Sequence, residues 1–180
     1  NVMAVWIADL DASVITQSDG YTSPGGWDIT GRAWYSCIET GKTVLTEPYI
    51  DSSTGEIILS AATPVYDEGG NVLGAAGMDI SLDHVTEVLS TYTIGSNGYV
   101  WLVSSDGMLI YHPNAELVQQ NIADVNVSDN VVNAIVNQST EFLKYKADGI
   151  TQYGSVQLVG ETGYLVVSNM PLLEYYQMLF

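Results

Sequence analysis

Positive charge is what this chain has least of: four lysines and arginines stand against 21 aspartates and glutamates over 180 residues, a formal net charge of −17. A surface of that sign repels phosphate backbones and anionic lipid headgroups, which argues against nucleic-acid binding and peripheral membrane docking. Cysteine is almost missing as well. With Cys37 alone, no disulfide can close within the chain, and because many extracytoplasmic bacterial domains also lack disulfides, this fixes no compartment. No run of about 18 apolar residues occurs, so no membrane-spanning helix is expected. No basic segment followed by an apolar run opens the chain as a secretory signal would. His84, His112 and Cys37 are far apart and lack metal-ligand spacing, and Asp9-Leu10-Asp11 lacks the Gly and distal Glu of a calcium loop. Nothing resembles a nucleophile elbow or a phosphate loop, and no cofactor is implied. Acid–base hydrolysis has only the carboxylates of Asp51 and Asp79 to rest on.

What is present suffices for a packed interior: 47% of the residues are hydrophobic, enough for one large domain or two small lobes. The chain opens on an apolar run, 2–8, and closes on another, 170–180, so it is expected to be a piece of a longer protein.

A weak internal repeat organises it. Val5-Trp6-Ile7-Ala8, Asp11-Ala12 and Ile15 recur as Val100-Trp101-Leu102-Val103, Asp106-Gly107 and Ile110, each 95 positions later. Both read as a hairpin, an apolar strand turning at an aspartate into a second strand. The first half then predicts a helix from about Thr30 to Glu39, and strands over 56–66 and 71–80 around the turn Asp67-Glu68-Gly69-Gly70. The second half predicts a helix capped by Ser128, then strands over 141–146, 150–159 and 164–169. Between the halves Ser81 caps a helix reaching about Tyr92, and Gly95-Ser96-Asn97-Gly98 breaks the chain. The expected fold class is α+β, two antiparallel sheets each flanked by helices, with domains over 1–92 and 93–180.

One segment carries chemistry. Arg32, the single arginine, stands in Trp27-Asp28-Ile29-Thr30-Gly31-Arg32-Ala33-Trp34-Tyr35. A guanidinium fork matches a carboxylate, the Trp34 indole adds a donor, and aromatic faces exclude water. If Thr30 caps the helix, its free N–H groups favour an anion too. Downstream, Tyr49 and Asp51 lie in Pro48-Tyr49-Ile50-Asp51, and Asp79 interrupts the apolar strand Gly77-Met78-Asp79-Ile80. A carboxylate there is costly unless paired, which calls for a cationic partner: either Arg32, in an internal salt bridge, or the ammonium of a ligand. A zwitterion would use both ends of such a site.

At these residues the chain resembles the double-Cache sensor domains of chemoreceptors and sensor kinases, in their amino-acid-binding branch. Arg32, Trp34 and Tyr35 match its Arg-x-Trp-Tyr motif, Tyr49 and Asp51 its Tyr-with-Asp segment, and Gly77, Asp79 and Ile80 its Gly-x-Asp-Ile strand. The resemblance covers essentially the whole chain, less the long N-terminal helix and membrane segments of such domains. It implies two tandem PAS-like (Cache) lobes, a membrane-distal one that binds ligand and a membrane-proximal one. It further implies that Arg32 and Trp34 hold a ligand carboxylate, and that Asp79, with Asp51 and tyrosine hydroxyls, holds the ammonium. Trp27 stands where the family usually has a tyrosine, keeping an aromatic wall but losing a hydroxyl. The walls that select the ligand side chain are expected in 21–27 and 43–46. Tyr111-His112-Pro113-Asn114 resembles the proximal lobe, with His112 read as a strand-end histidine in a structural hydrogen bond and His84 as a solvated helix residue.

The resulting expectation is an extracytoplasmic amino-acid sensor, not an enzyme, in a homodimeric receptor of the cell membrane that signals to cytoplasmic partners, most directly for chemotaxis. Binding would draw the Arg32, Asp51 and Asp79 segments together and pass through the second lobe to an exit near 172–180. The alternatives are the sensor of a histidine kinase or cyclase that takes an amine or small carboxylate, and a surface adhesin module.

Overall fold

The structure, a computed structural model, describes residues 2–178. Its contacts divide the chain between His84 and Val85, and each unit is built on one antiparallel sheet.

In the first unit β1 (Val2–Asp9) turns into β2 (Val14–Gln17). A 3-10 turn (Ala33–Tyr35) and a short helix α1 (Ser36–Thr40) follow, then the short strands β3 (Val44–Leu45) and β4 (Tyr49–Ile50). The long hairpin β5 (Ile57–Tyr66) and β6 (Val72–Ser81) completes it. The order is β2-β1-β6-β5-β3, with β4 also paired to β5. Residues alternate faces along a strand, and β1 shows the result: Ala4, Trp6 and Ala8 are buried while Val5 and Ile7 are exposed. The buried face packs Trp6, Ala8, Ile15, Ala62 and Ala75 against Ile29, Trp34 and Cys37 from the connecting segment. Truncating a buried Trp such as Trp6 costs about 3–5 kcal/mol.

Gly77 sits directly opposite Trp6 in the β1–β6 ladder. A Cβ there would lie 2.4 Å from the Trp6 ring and 2.8 Å from the Ala61 carbonyl, so only glycine lets the indole lie flat across the neighbouring strand.

The helix α2 (Leu82–Ser90) spans the division between the units. In the second unit β7 (Tyr99–Val103) turns into β8 (Leu109–Tyr111), followed by a 3-10 turn (Ala115–Leu117) and α3 (Asp129–Val136). Three strands then run as β9 (Glu141–Ala147), β10 (Ile150–Leu158) and β11 (Leu165–Pro171), and α4 (Leu172–Gln177) closes the unit. The order β8-β7-β11-β10-β9 repeats the main path of the first sheet, with no counterpart of β4. Val131, Ala134 and Ile135 of α3 cover Trp101, Val103, Val156, Leu165 and Val167.

Two local expectations are corrected. No helix starts at Thr30. The Asp28 carboxylate accepts from the Thr30 and Gly31 N–H groups and from the Thr30 hydroxyl, which takes the donors a helix start would have presented. Arg32 is extended (φ −89°, ψ 141°), and helical geometry begins only at Ala33. Ser128 does sit at the N-terminus of α3, but its hydroxyl bonds the Lys146 backbone instead of capping the helix. The expected C-terminal exit, 172–180, begins with α4 and has its last two residues outside the described range.

Candidate functional site

On the buried face of the first sheet, a cleft of about 320 Å³, counting its solvent mouth, is lined by Trp27, Arg32, Trp34, Tyr49, Asp51 and Asp79. Trp6, Ile15, Gln17, Tyr21 and Ser52 complete it. The structure therefore brings together every residue singled out from the sequence except Tyr35, which is half-buried and packs against the core beneath Trp34. Tyr35 follows Trp34 in the 3-10 turn, with the two ring centroids 6.5 Å apart.

The arginine end is built by the loop. Asp28 pins the turn, and its carbonyl accepts from the Arg32 Nε at 3.0 Å. The guanidinium carbon lies 3.7 Å from the centre of the Trp27 ring, a cation–π contact contributing about 0.5–2 kcal/mol. Trp27 thus serves as a shelf for Arg32, a role its indole fills without the missing hydroxyl. Trp34 is buried and packs its ring 4.8 Å from that of Trp6.

The carboxylate end is built by the sheet. Asp79 is 5% exposed, and its Oδ1 accepts from the Trp6 Nε1 at 2.8 Å and the Ser60 hydroxyl at 2.5 Å. Register explains both partners: Ser60 is directly opposite Asp79 across β5–β6, and Trp6 is two residues beyond its partner Ala4 on β1. Of the two partners expected for Asp79, Arg32 is not the one that holds it: neutral donors do. Among the described residues Arg32 and Asp79 form no salt bridge, and the charge felt by Asp79 is the like charge of Asp51. Burial pushes the Asp79 carboxyl above the ordinary carboxylate range; the Ser60 and Trp6 bonds pull it down, and Asp51 pushes it up again.

Ser60 is fully buried and also lies 2.6 Å from the Tyr49 hydroxyl. Its one proton is committed to Asp79, so Tyr49 is the donor and Ser60 the acceptor. The relay runs Tyr49 to Ser60 to Asp79, leaving the Tyr49 oxygen free to accept. Burial pushes the Tyr49 hydroxyl well up, so it stays protonated.

Asp51 is committed mainly to its own turn. Its Oδ2 accepts from the Ser53 hydroxyl and from the Thr54 N–H and hydroxyl. Burial pushes its carboxyl up, but the Ser53 and Thr54 bonds together prevail and hold it low.

Sequence reasoning missed Trp6, Ile15, Gln17, Ser52 and Ser60. Of these, Trp6 and Ile15 left a trace, as members of the repeat. Of the expected selecting walls, Tyr21 and Trp27 line the cleft, whereas Thr43 lies with Val5, Ala61 and Met78 on the opposite face of the sheet. His112 is 9% exposed, and its Nδ1 accepts from the Asn114 N–H at 3.0 Å. No cluster of His, Cys, Asp and Glu able to hold a metal occurs among the described residues.

The family model of the Cache domain matches residues 2–178. The methyl-accepting chemotaxis protein PscA of Pseudomonas syringae is 38% identical over 100 residues, covering 55% of this chain and 16% of that protein. The solved ligand-binding domain of the Pseudomonas aeruginosa amino acid chemoreceptor PctB, in complex with L-Gln, superposes with a TM-score of 0.74 at 26% identity. That match covers 100% of this chain and 72% of the other. The ligand-binding domain of the Pseudomonas fluorescens chemoreceptor CtaA with L-isoleucine gives 0.73 at 26% identity, over 99% and 72% of the two chains. The chain spans less than a fifth of the length of the first curated relatives it matches.

Proposed function

The chain belongs to the Cache domain family, and on that premise we propose that it is the extracytoplasmic sensor of a homodimeric methyl-accepting chemotaxis receptor of the cell membrane, binding an α-amino acid in the cleft of its first unit. One observation carries the reading: a single cleft holds Arg32 on an aromatic shelf and the buried carboxylate Asp79, not paired to each other. Arg32 takes the ligand carboxylate through its planar fork, with Trp34 beside it. Asp79 takes the ammonium, assisted by the free lone pair on the Tyr49 oxygen and by the edge of Asp51. The neutral donors on Asp79 matter for this role. They hold the carboxylate in place without cancelling its charge, so the ligand supplies the first cation it meets.

Support for a chemotactic output comes from the relatives, named as methyl-accepting chemotaxis proteins; the ligand class follows the amino acids bound to PctB and CtaA. In this reading residues 1–92 form the membrane-distal lobe and 93–180 the proximal one. A ligand shifts a signalling equilibrium only by its differential affinity for the two states. Closing the Arg32 loop onto the Asp79 strand is that difference, passed through the second unit toward α4 and on to cytoplasmic partners.

A thermal-shift screen of amino acids, amines and small carboxylates tests the binding. At about 100 times the dissociation constant the stabilisation is about 2.7 kcal/mol, and Arg32→Ala abolishes it. Silence from every amino acid, or a shift that survives Arg32→Ala, refutes the proposal.

A further inference from the structure

The shared strand order of the two sheets places Asn169 where Asp79 stands. Asp79 lies opposite Ala4, two residues before Trp6, and Asn169 lies opposite Tyr99, two residues before Trp101. The difference between the two residues is chemical. Asp79 accepts the Trp6 indole proton, whereas Asn169 spends its amide on Gln152, at 2.5 Å, and its carbonyl on the Tyr99 N–H, at 3.3 Å. Among the described residues the Trp101 indole N–H has no partner, in a side chain only 1% exposed. Tyr145, 3% exposed, meets the Trp101 ring at 5.9 Å, and its hydroxyl lies near the Asn169 amide but outside hydrogen-bond geometry with any atom.

Trp101 lines a narrow cavity together with His112, Leu109, Leu117 and Val125. The His112 ring stands 5.5 Å from that of Trp101. Because His112 Nδ1 accepts from Asn114, the neutral ring carries its proton on Nε2 and is a donor there. Trp101 on the lining and Tyr145 behind its ring therefore hold two buried donors without a partner, and His112 adds a third donor on the lining, with no buried carboxylate on it to receive them. Uncompensated buried donors are destabilising, and in native proteins they mark a missing partner.

We propose that the second unit holds a second ligand site, at the cavity between Trp101 and His112, for a small monocarboxylate. A carboxylate is acceptor-only, with about four lone-pair sites on two oxygens, and so matches a set of donors in little space. A zwitterion would bring an ammonium with nothing like Asp79 to meet it. An amide would bring two further donors. The only carboxylate on the lining, Asp148, is solvent-exposed. The inference stands apart from the amino-acid reading of the first unit.

Sodium acetate is the probe, titrated into the whole chain with sodium chloride as the salt control. Acetate shifts the Trp101 indole N–H resonance saturably and raises the melting temperature, and Arg32→Ala retains both effects. Trp101→Phe keeps a ring but removes a donor to a charged group, weakening acetate about tenfold or more. Tyr145→Phe weakens it in the same direction and serves if Trp101→Phe does not fold. An unmoved Trp101 resonance, an effect lost in Arg32→Ala, undiminished acetate affinity in both donor variants, or equal binding of acetamide overturns the proposal.

Discussion

Asp79→Asn changes one heavy atom and separates the two things Asp79 does. As an acceptor, the asparagine carbonyl still takes the Trp6 and Ser60 protons at the Oδ1 position, so the strand geometry survives. As a charge, it disappears. Burial drives the Asp79 carboxyl upward, which means ionised Asp79 weighs against folding at neutral pH. Removing the charge therefore leaves stability at pH 7 unchanged or raised, even though the residue is buried. Binding moves the other way. A hydrogen bond to a charged group contributes about 1.5–3 kcal/mol, so an α-amino acid binds about 10- to 150-fold more weakly to the variant. The matching carboxylate without an amine loses little.

The pH dependence has a definite sign. A bound ammonium favours ionised Asp79 and lowers its raised pKa, so binding expels a proton in the window between the bound and free values. Amino-acid affinity is constant above the free value and falls as pH drops through it, starting above the ordinary carboxylate range. Asp51, held low, titrates beneath this window, and Tyr49, pushed up, titrates far above it. Calorimetry from pH 7 downward, on wild type and Asp79→Asn, reads both effects. Equal losses for the amino acid and its amine-free partner, or the same acid limb in both proteins, would falsify the role given to Asp79.

Ser60→Ala breaks the relay at its middle. Asp79 loses one charged-group bond and the Tyr49 hydroxyl loses its acceptor, so urea denaturation shows about 2–4 kcal/mol of destabilisation with the slope unchanged; a loss under about 1 kcal/mol contradicts the relay. Gly77→Ala inserts a Cβ against the Trp6 ring and the Ala61 carbonyl. It costs about 1–3 kcal/mol and turns the indole off Asp79, read as a changed near-ultraviolet dichroism of the tryptophans. An unaltered spectrum at wild-type stability refutes that packing argument.

The long strands were legible because strand-forming runs and turn residues are local: β5, β6 and the turn at Asp67 follow from the single stretch 57–81. The repeat was legible for a similar reason, since a strand order imposed twice leaves the same hairpin twice. The loop from 18 to 48 was not. Asp28 took the N–H groups that Thr30 was expected to leave free, and a competition between two neighbouring acceptors has no periodicity to read. The partners of Asp79 were hidden differently, because Trp6 and Ser60 are 73 and 19 residues away in sequence and meet it only through register.

That register also sharpens what an aspartate in an apolar strand means. Two neutral donors hold the Asp79 carboxylate in place without neutralising its charge, which leaves that charge for the ammonium proposed above. The second sheet repeats the geometry with the charge taken out. Asn169 pairs with its own neighbours, and Trp101 keeps a proton that nothing accepts. One backbone plan thus yields a buried carboxylate held by neutral donors in the first unit and buried donors without an acceptor in the second.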